Sequence, residues 1–250
     1  MASKPTQVVF DSWDIYVAHS DNKPIFISFD VAAAENDLTG TLPLCARVLL
    51  PIHKPNHNGG PVTQESERLI ELEDELCAKL VEHAVSCRLV ARLTFDGIRQ
   101  LVFQLDDWES FRPPVGLWLM DHEEYAIDVA EHEGWGFFDE CVRPTPEVWQ
   151  MLGDRRVVQK LIEAGSDPTK AHELEFVFNG EERGLRLAAR DLQGRGYVPQ
   201  STLDFASGQV VMVKSMPLDE DAIFGETRIH NSLAEKYGIE YDGWGAGVVN

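Results

Sequence analysis

Histidine lies among glutamates twice in the middle of the chain, as His122-Glu123-Glu124 and Glu131-His132-Glu133, and imidazole with carboxylate is a donor set for a divalent metal. Two more histidines, His53 and His57, fall in the stretch His53-Lys54-Pro55-Asn56-His57-Asn58. Metal centres need converging ligands fixed by ordered outer partners, and neither group follows a fixed-spacing motif. The simpler expectation is a solvated acidic face for the first group and a proline-rich loop for the second. His230, among apolar positions of the last helix, reads as a structural histidine. Near the C-terminus, Gly243-Trp244-Gly245-Ala246-Gly247 superficially matches a phosphate loop. Such loops seat the anion on the N-terminus of the next helix, and no helix is expected after this one. A Gly-x-Ser-x-Gly elbow and a Gly-Lys-Ser/Thr loop are both missing from the sequence, and Cys45, Cys77, Cys87 and Cys141 lack metal-ligand spacing. The cysteines read as core thiols in a reducing compartment. The residues therefore predict no catalytic group, no metal and no cofactor.

The chain has 250 residues, 44% of them hydrophobic, enough for one large domain or two ordinary ones. Its 42 acidic residues against 22 basic give a net charge of −20, a field that repels phosphate backbones and anionic membranes. Direct nucleic-acid and membrane partners are therefore not expected. The N-terminal stretch lacks the apolar core of a signal peptide and no apolar run approaches a membrane span, which makes the cytoplasm the default.

Several elements are legible. Ser12–Ser20 and Ile25–Val31 alternate as two strands around the turn Asp21-Asn22-Lys23-Pro24, and Leu42–Ile52 reads as another strand. Thr63 is placed to cap a helix over 64–84 whose apolar side holds Leu69, Leu72, Leu76, Leu80 and His83. Asp96-Gly97, between two apolar runs, predicts a hairpin with a type I′ turn. Residues 106–147 carry 12 acidic groups against Arg112 and Arg143, and read as partly irregular with one strand near 125–129. A helix from about Thr145 to Gly165 precedes Gly165-Ser166-Asp167-Pro168-Thr169-Lys170-Ala171, the best linker in the chain. Beyond it the pattern is strand (Glu173–Phe178), helix (Leu185–Leu192), strands Thr202–Phe205 and Val210–Met216, a helix ending at Tyr237-Gly238, and a last strand through Ile239–Val249. That β-α-β-β-α-β order is the ferredoxin-like plan, a four-stranded antiparallel sheet with two helices on one face. The fold class expected is α+β in two domains: residues 1–165 with a mainly antiparallel sheet, a linker over 166–171, and residues 172–250 as the ferredoxin-like domain. Glu131–Gly136 and Glu240–Gly245 share Gly-Trp-Gly, and independent use of that tripeptide at strand ends is the expectation over internal duplication.

The segment running through Leu233, Ala234, Tyr237, Gly238, Glu240, Tyr241, Asp242, Gly243, Trp244 and Gly245 resembles the end of the regulator of ribonuclease E activity B family. The first part, with Trp13-Asp14-Ile15-Tyr16 and the stretch 133–146, looks like a bacterial domain family of unknown function often joined to it. The resemblance implies a ferredoxin-like, non-catalytic protein that binds an endoribonuclease in its basic scaffold region and inhibits it. Glu240, Tyr241, Asp242, Gly243, Trp244 and Gly245 are then the family-motif or partner-binding residues, with Trp244 expected mainly to pack. The alternatives are an acidic decoy, of the immunity type, for another basic protein, and an uncharacterised metal-binding enzyme using His122 and His132.

Overall fold

The structure is a computed structural model that describes residues 13–36, 40–125 and 127–249. The expected start of the first strand at Ser12 and the N-terminal residues considered as a signal peptide lie outside these. The chain divides into two compact units, Met1–Thr145 and Pro146–Asn250.

The first unit is built on a six-stranded antiparallel sheet in the order β1-β2-β4-β5-β3-β6. Its strands are β1 (Trp13–Ser20), β2 (Lys23–Asp30), β3 (Leu44–Pro51), β4 (Cys87–Phe95), β5 (Ile98–Leu105) and β6 (Asp128–Glu133). Its helices are α1 (Val31–Glu35), α2 (Thr63–Glu82), α3 (Trp108–Asp121) and α4 (Gly136–Cys141). Asp96 and Gly97 have φ of 48° and 82°, the positive angles that the Asp-Gly turn predicts. Leu69, Leu72, Leu76 and Leu80 on α2 pack onto Val48, Leu101 and Phe103 of the sheet. His83 is not on that buried stripe; it is exposed and ends the helix. Thr63 is the first helical residue rather than the cap, which falls at Val62 with no side-chain bond.

The segment expected to be irregular contains a full helix, α3. Asp107 caps it by accepting from the Ser110 N–H, and Phe111, Val115 and Trp118 are buried at i, i+4 and i+7. Pro113 and Pro114 lie inside it, where each lacks the N–H that would bond one turn back. Those prolines and the flanking acids conceal the helix in sequence; burial of Trp118 against the α2 core stabilises it. The strand expected near 125–129 is displaced to 128–133, where it pairs with β3 from Leu49↔Asp128 to Leu44↔Glu133.

The second unit comprises α5 (Pro146–Glu163), β7 (His172–Asn179), α6 (Glu182–Gly194), β8 (Val198–Pro199), β9 (Gln209–Met216), α7 (Glu220–Tyr237) and β10 (Glu240–Ala246). Sheet order β10-β7-β9-β8, all antiparallel, is the ferredoxin-like arrangement. Three features differ from the sequence reading. Helix α5, expected to close the first domain, belongs to this unit: Val158 joins its core and Leu161 packs against it. The unit therefore has three helices. The stretch 166–171 is not a free linker, because Ser166 is buried and the Asp167 N–H donates to the Val249 carbonyl at 2.9 Å. The second strand is the two residues Val198–Pro199, paired with Val213 and Met212, whereas 202–205 bends into a short 3-10 turn capped by Asp204.

The helix connection to β10 is tight. A Cβ on Gly184 in α6 would stand 2.6 Å from the Tyr237 carbonyl oxygen and 2.6 Å from Ile239 Cγ2. One of these is backbone and has little room to yield. Gly184→Ala is expected to lower the stability of this unit by about 2 kcal/mol despite alanine's better helix propensity, read as a shift in the urea midpoint.

Candidate functional site

In a regular strand, residues three apart point to opposite faces. Tyr241 and Trp244 nonetheless share a face, because the register of β10 against β7 shifts between Tyr241↔Phe178 and Gly243↔Val177, so that Trp244 lands opposite Phe176. The bulge leaves Asp242 unpaired in the register, and Gly243 supplies its φ of +100°. Tyr241 is thereby buried against Phe178 and His230, with ring centroids at 5.3 and 4.9 Å. Trp244 is half-buried, and its Nε1–H donates to Asp154 Oδ1 on α5 at 2.8 Å. Glu240 and Asp242 are exposed, and Gly245 is half-buried. The motif thus joins α5 to the sheet. No sequence signal marks Asp154 as the partner of a residue 90 positions away.

Behind Tyr241 runs a buried polar chain. Tyr197 donates its hydroxyl hydrogen to Glu226, which also receives Lys214 Nζ. The Tyr197 oxygen then accepts from His230 Nε2 at 2.9 Å, which assigns the His230 proton to Nε2 and leaves Nδ1 bare. His230 is fully buried, and burial lowers its pKa from 6.5 to about 4, with Glu226 opposing and Lys214 and Arg195 assisting. Burial raises the Asp154 carboxyl, opposed by the hydrogen bond from Trp244. Burial likewise raises the Tyr197 and Tyr241 hydroxyls, which stay protonated. Tyr197 and His230 are buried within the core, and the polar chain reaches the surface only through the half-buried Glu226 and Lys214.

The histidine yields a pH prediction. Below pH 6.5 the unfolded state binds a proton that the folded state takes up only near pH 4, so stability is complete above 6.5 and falls between 6.5 and about 4. The loss from this group is about 3 kcal/mol over that window. Asp154 contributes the opposite slope, since its raised pKa favours the folded state as pH falls. Urea midpoints against pH for the wild type and His230→Gln should differ by a slope confined to this window, because Asp154 is common to both.

The other candidates are dispersed. His122 ends α3, with Nε2 2.7 Å from Glu75 Oε2 on α2. His132 on β6 instead accepts from Arg47 Nε at 2.9 Å. The structure does not give the two a shared partner. His53 stacks on Tyr125 at 4.2 Å, and His57 lines a shallow groove with Asn22, Lys23 and Asp96. Among the described residues, no group of three histidine, cysteine or acidic side chains converges as a metal site. Burial pushes the Cys45 thiol up to about 11 and those of Cys77 and Cys87 to about 12, which disfavours the thiolate needed for nucleophilic attack. Trp135, in the other Gly-Trp-Gly, donates to the Leu42 carbonyl and precedes helix α4, so the two copies have different conformations.

Fold and strand together define an α+β protein whose second unit is a ferredoxin-like domain closed by a tyrosine–tryptophan strand. Residues 153–246 match the family Regulator of ribonuclease activity B, and residues 11–140 match a family of unknown function, DUF695. The first match includes both Asp154 and Trp244, and the gap between the two matches contains the division at Thr145. Relatives named Regulator of ribonuclease activity B include that of Escherichia coli K12, 30% identical over 98 residues, which are 36% of this chain and 71% of the relative. That of Xenorhabdus nematophila is 31% identical over 98 residues, 36% of this chain and 70% of the relative. That of Pseudoalteromonas atlantica is 32% identical over 99 residues, 37% of this chain and 85% of the relative. The chain belongs to the Regulator of ribonuclease activity B family through its second unit and to DUF695 through its first. No helix among the described residues is long and apolar enough to cross a membrane.

Proposed function

We propose that this chain is a non-catalytic regulator that binds an endoribonuclease of the ribonuclease E type, in its basic scaffold region, and slows RNA cleavage in the cytoplasm. The observation carrying this reading is the match over 153–246, which covers the four-stranded sheet, α6, α7 and most of α5, with the Asp154–Trp244 contact. Charge supports it: a chain of net −20 attracts arginine-rich segments and repels RNA, so it acts on the protein. Tyr241 and Trp244 then serve as scaffold, and exposed groups such as Glu240 and Asp242 meet the partner. Purified full-length chain should bind the scaffold region with an affinity that falls as salt rises, and should slow cleavage of a defined transcript by the intact ribonuclease. Unchanged cleavage together with no binding at low salt would overturn the proposal.

A further inference from the structure

We infer that the helix-free face of the second unit's sheet is a docking surface for a basic, aliphatic protein segment. The inference rests on the proposed function in taking the partner to be a basic protein, and adds the place and the chemistry. Strand register defines the surface. The even-numbered residues Leu174, Phe176 and Phe178 of β7 and Val210 and Met212 of β9 form the core with α6 and α7. Their odd-numbered neighbours face the other way. One row across that face is Val198, Val213, Glu175 and Gly245, and the next is Val211, Val177 and Gly243.

Four valines thus lie together: Val198 at the rim is 58% exposed, Val177 and Val211 are half-buried, and Val213 beneath them is buried, so the accessible part of the patch is Val198, Val177 and Val211. At the β10 side two glycines leave the surface flat. Glu173 and Glu240 stand at exposed positions along it, opposite Ser215 and Asn179, with Glu175 half-buried between the valines. No lysine or arginine occupies a position in these rows, while Lys214, on β9 between two of them, turns to the helix side to meet Glu226. An apolar patch framed by carboxylates is complementary to a segment that mixes arginine or lysine with aliphatic side chains, and repels nucleic acid. Pairing along the β10 edge is disfavoured by its bulge, which twists an edge away from an added strand. The face, rather than the edge, is the surface offered.

The test uses the full chain and a synthetic peptide of alternating arginine and valine, with hydrogen exchange to locate it. Protection is expected in 173–179, 209–215 and 240–246. Glu173→Lys with Glu175→Lys should weaken peptide binding about tenfold or more. Glu181→Lys with Glu182→Lys, the same change in net charge at exposed positions at the start of α6, should leave it within about twofold. Val198→Ser, at a solvent-exposed position that does not endanger folding, should weaken it severalfold. Equal losses from the two double variants, protection elsewhere, or preference for single-stranded RNA over the peptide would overturn the inference. Binding of the ribonuclease scaffold that survives the Glu173 and Glu175 changes would remove this surface and leave the partner. A peptide that maps to the face while the scaffold fails to bind would remove the partner and leave the surface.

Discussion

Gly243→Val is expected to destabilise the ferredoxin-like unit by about 3 kcal/mol and to release Trp244 from Asp154. The cause is conformational, because a Cβ at Gly243 meets nothing within 4 Å and only the φ of +100° is refused by an L side chain. A β-branched residue at that angle favours straightening the bulge. Straightening shifts register by one, so Tyr241 and Trp244 would again face opposite ways and one would leave the core. Tryptophan emission should move to the red, and exchange protection in β10 should fall at denaturant concentrations that leave the first unit folded. Gly245→Ala is the control: its φ is not positive and its Cβ also meets nothing, so stability should stay within about 0.5 kcal/mol. Equal effects at the two positions would refute the role given to the bulge.

The second large effect is expected in the other unit. Arg92 on β4 grips Glu73 of α2 through two bonds, Nε at 2.6 Å and Nη2 at 2.5 Å, while its guanidinium lies 4.1 Å above the Trp13 ring. Glu73 is only 4% exposed. Arg92→Ala would leave that carboxylate buried without its bidentate partner, and the loss is about 3–4 kcal/mol, moderated by Arg99, whose charge also feels Glu73. Replacing both partners, Arg92→Leu with Glu73→Met, should recover most of the loss, since the cost comes from an orphaned charge rather than from a missing attraction. Denaturation of the first unit, followed through exchange in β4 and β5, checks both variants. A double variant as weak as Arg92→Ala would show that the pair itself provides the stability.

Most of the second unit was legible because its elements carry strong local signals. Leu185, Ala188, Ala189 and Leu192 repeat at helical spacing, β7 alternates residue by residue, and Gly238 takes the left-handed φ of 64° that ends α7. Helix α3 was hidden because two prolines and a run of acids break the local pattern, while its stability comes from burying Phe111 and Trp118 against another helix. Strand β8 was hidden because two residues hold no periodicity, and only pairing to Val213 and Met212 makes them a strand.

By itself the sequence determined the α+β class, the ferredoxin-like order, the acidic field and the resemblance carried by the Tyr-Asp-Gly-Trp-Gly segment, all of which depend on composition or on neighbours a few positions apart. Tertiary structure decided which domain owns α5, that His122 and His132 bind different partners, and what the motif does. Gly243 is a glycine because β7 fixes the register on one side and Asp154 fixes Trp244 on the other. That constraint joins residues 154, 176 and 244 in space, and no local spacing along the chain encodes it.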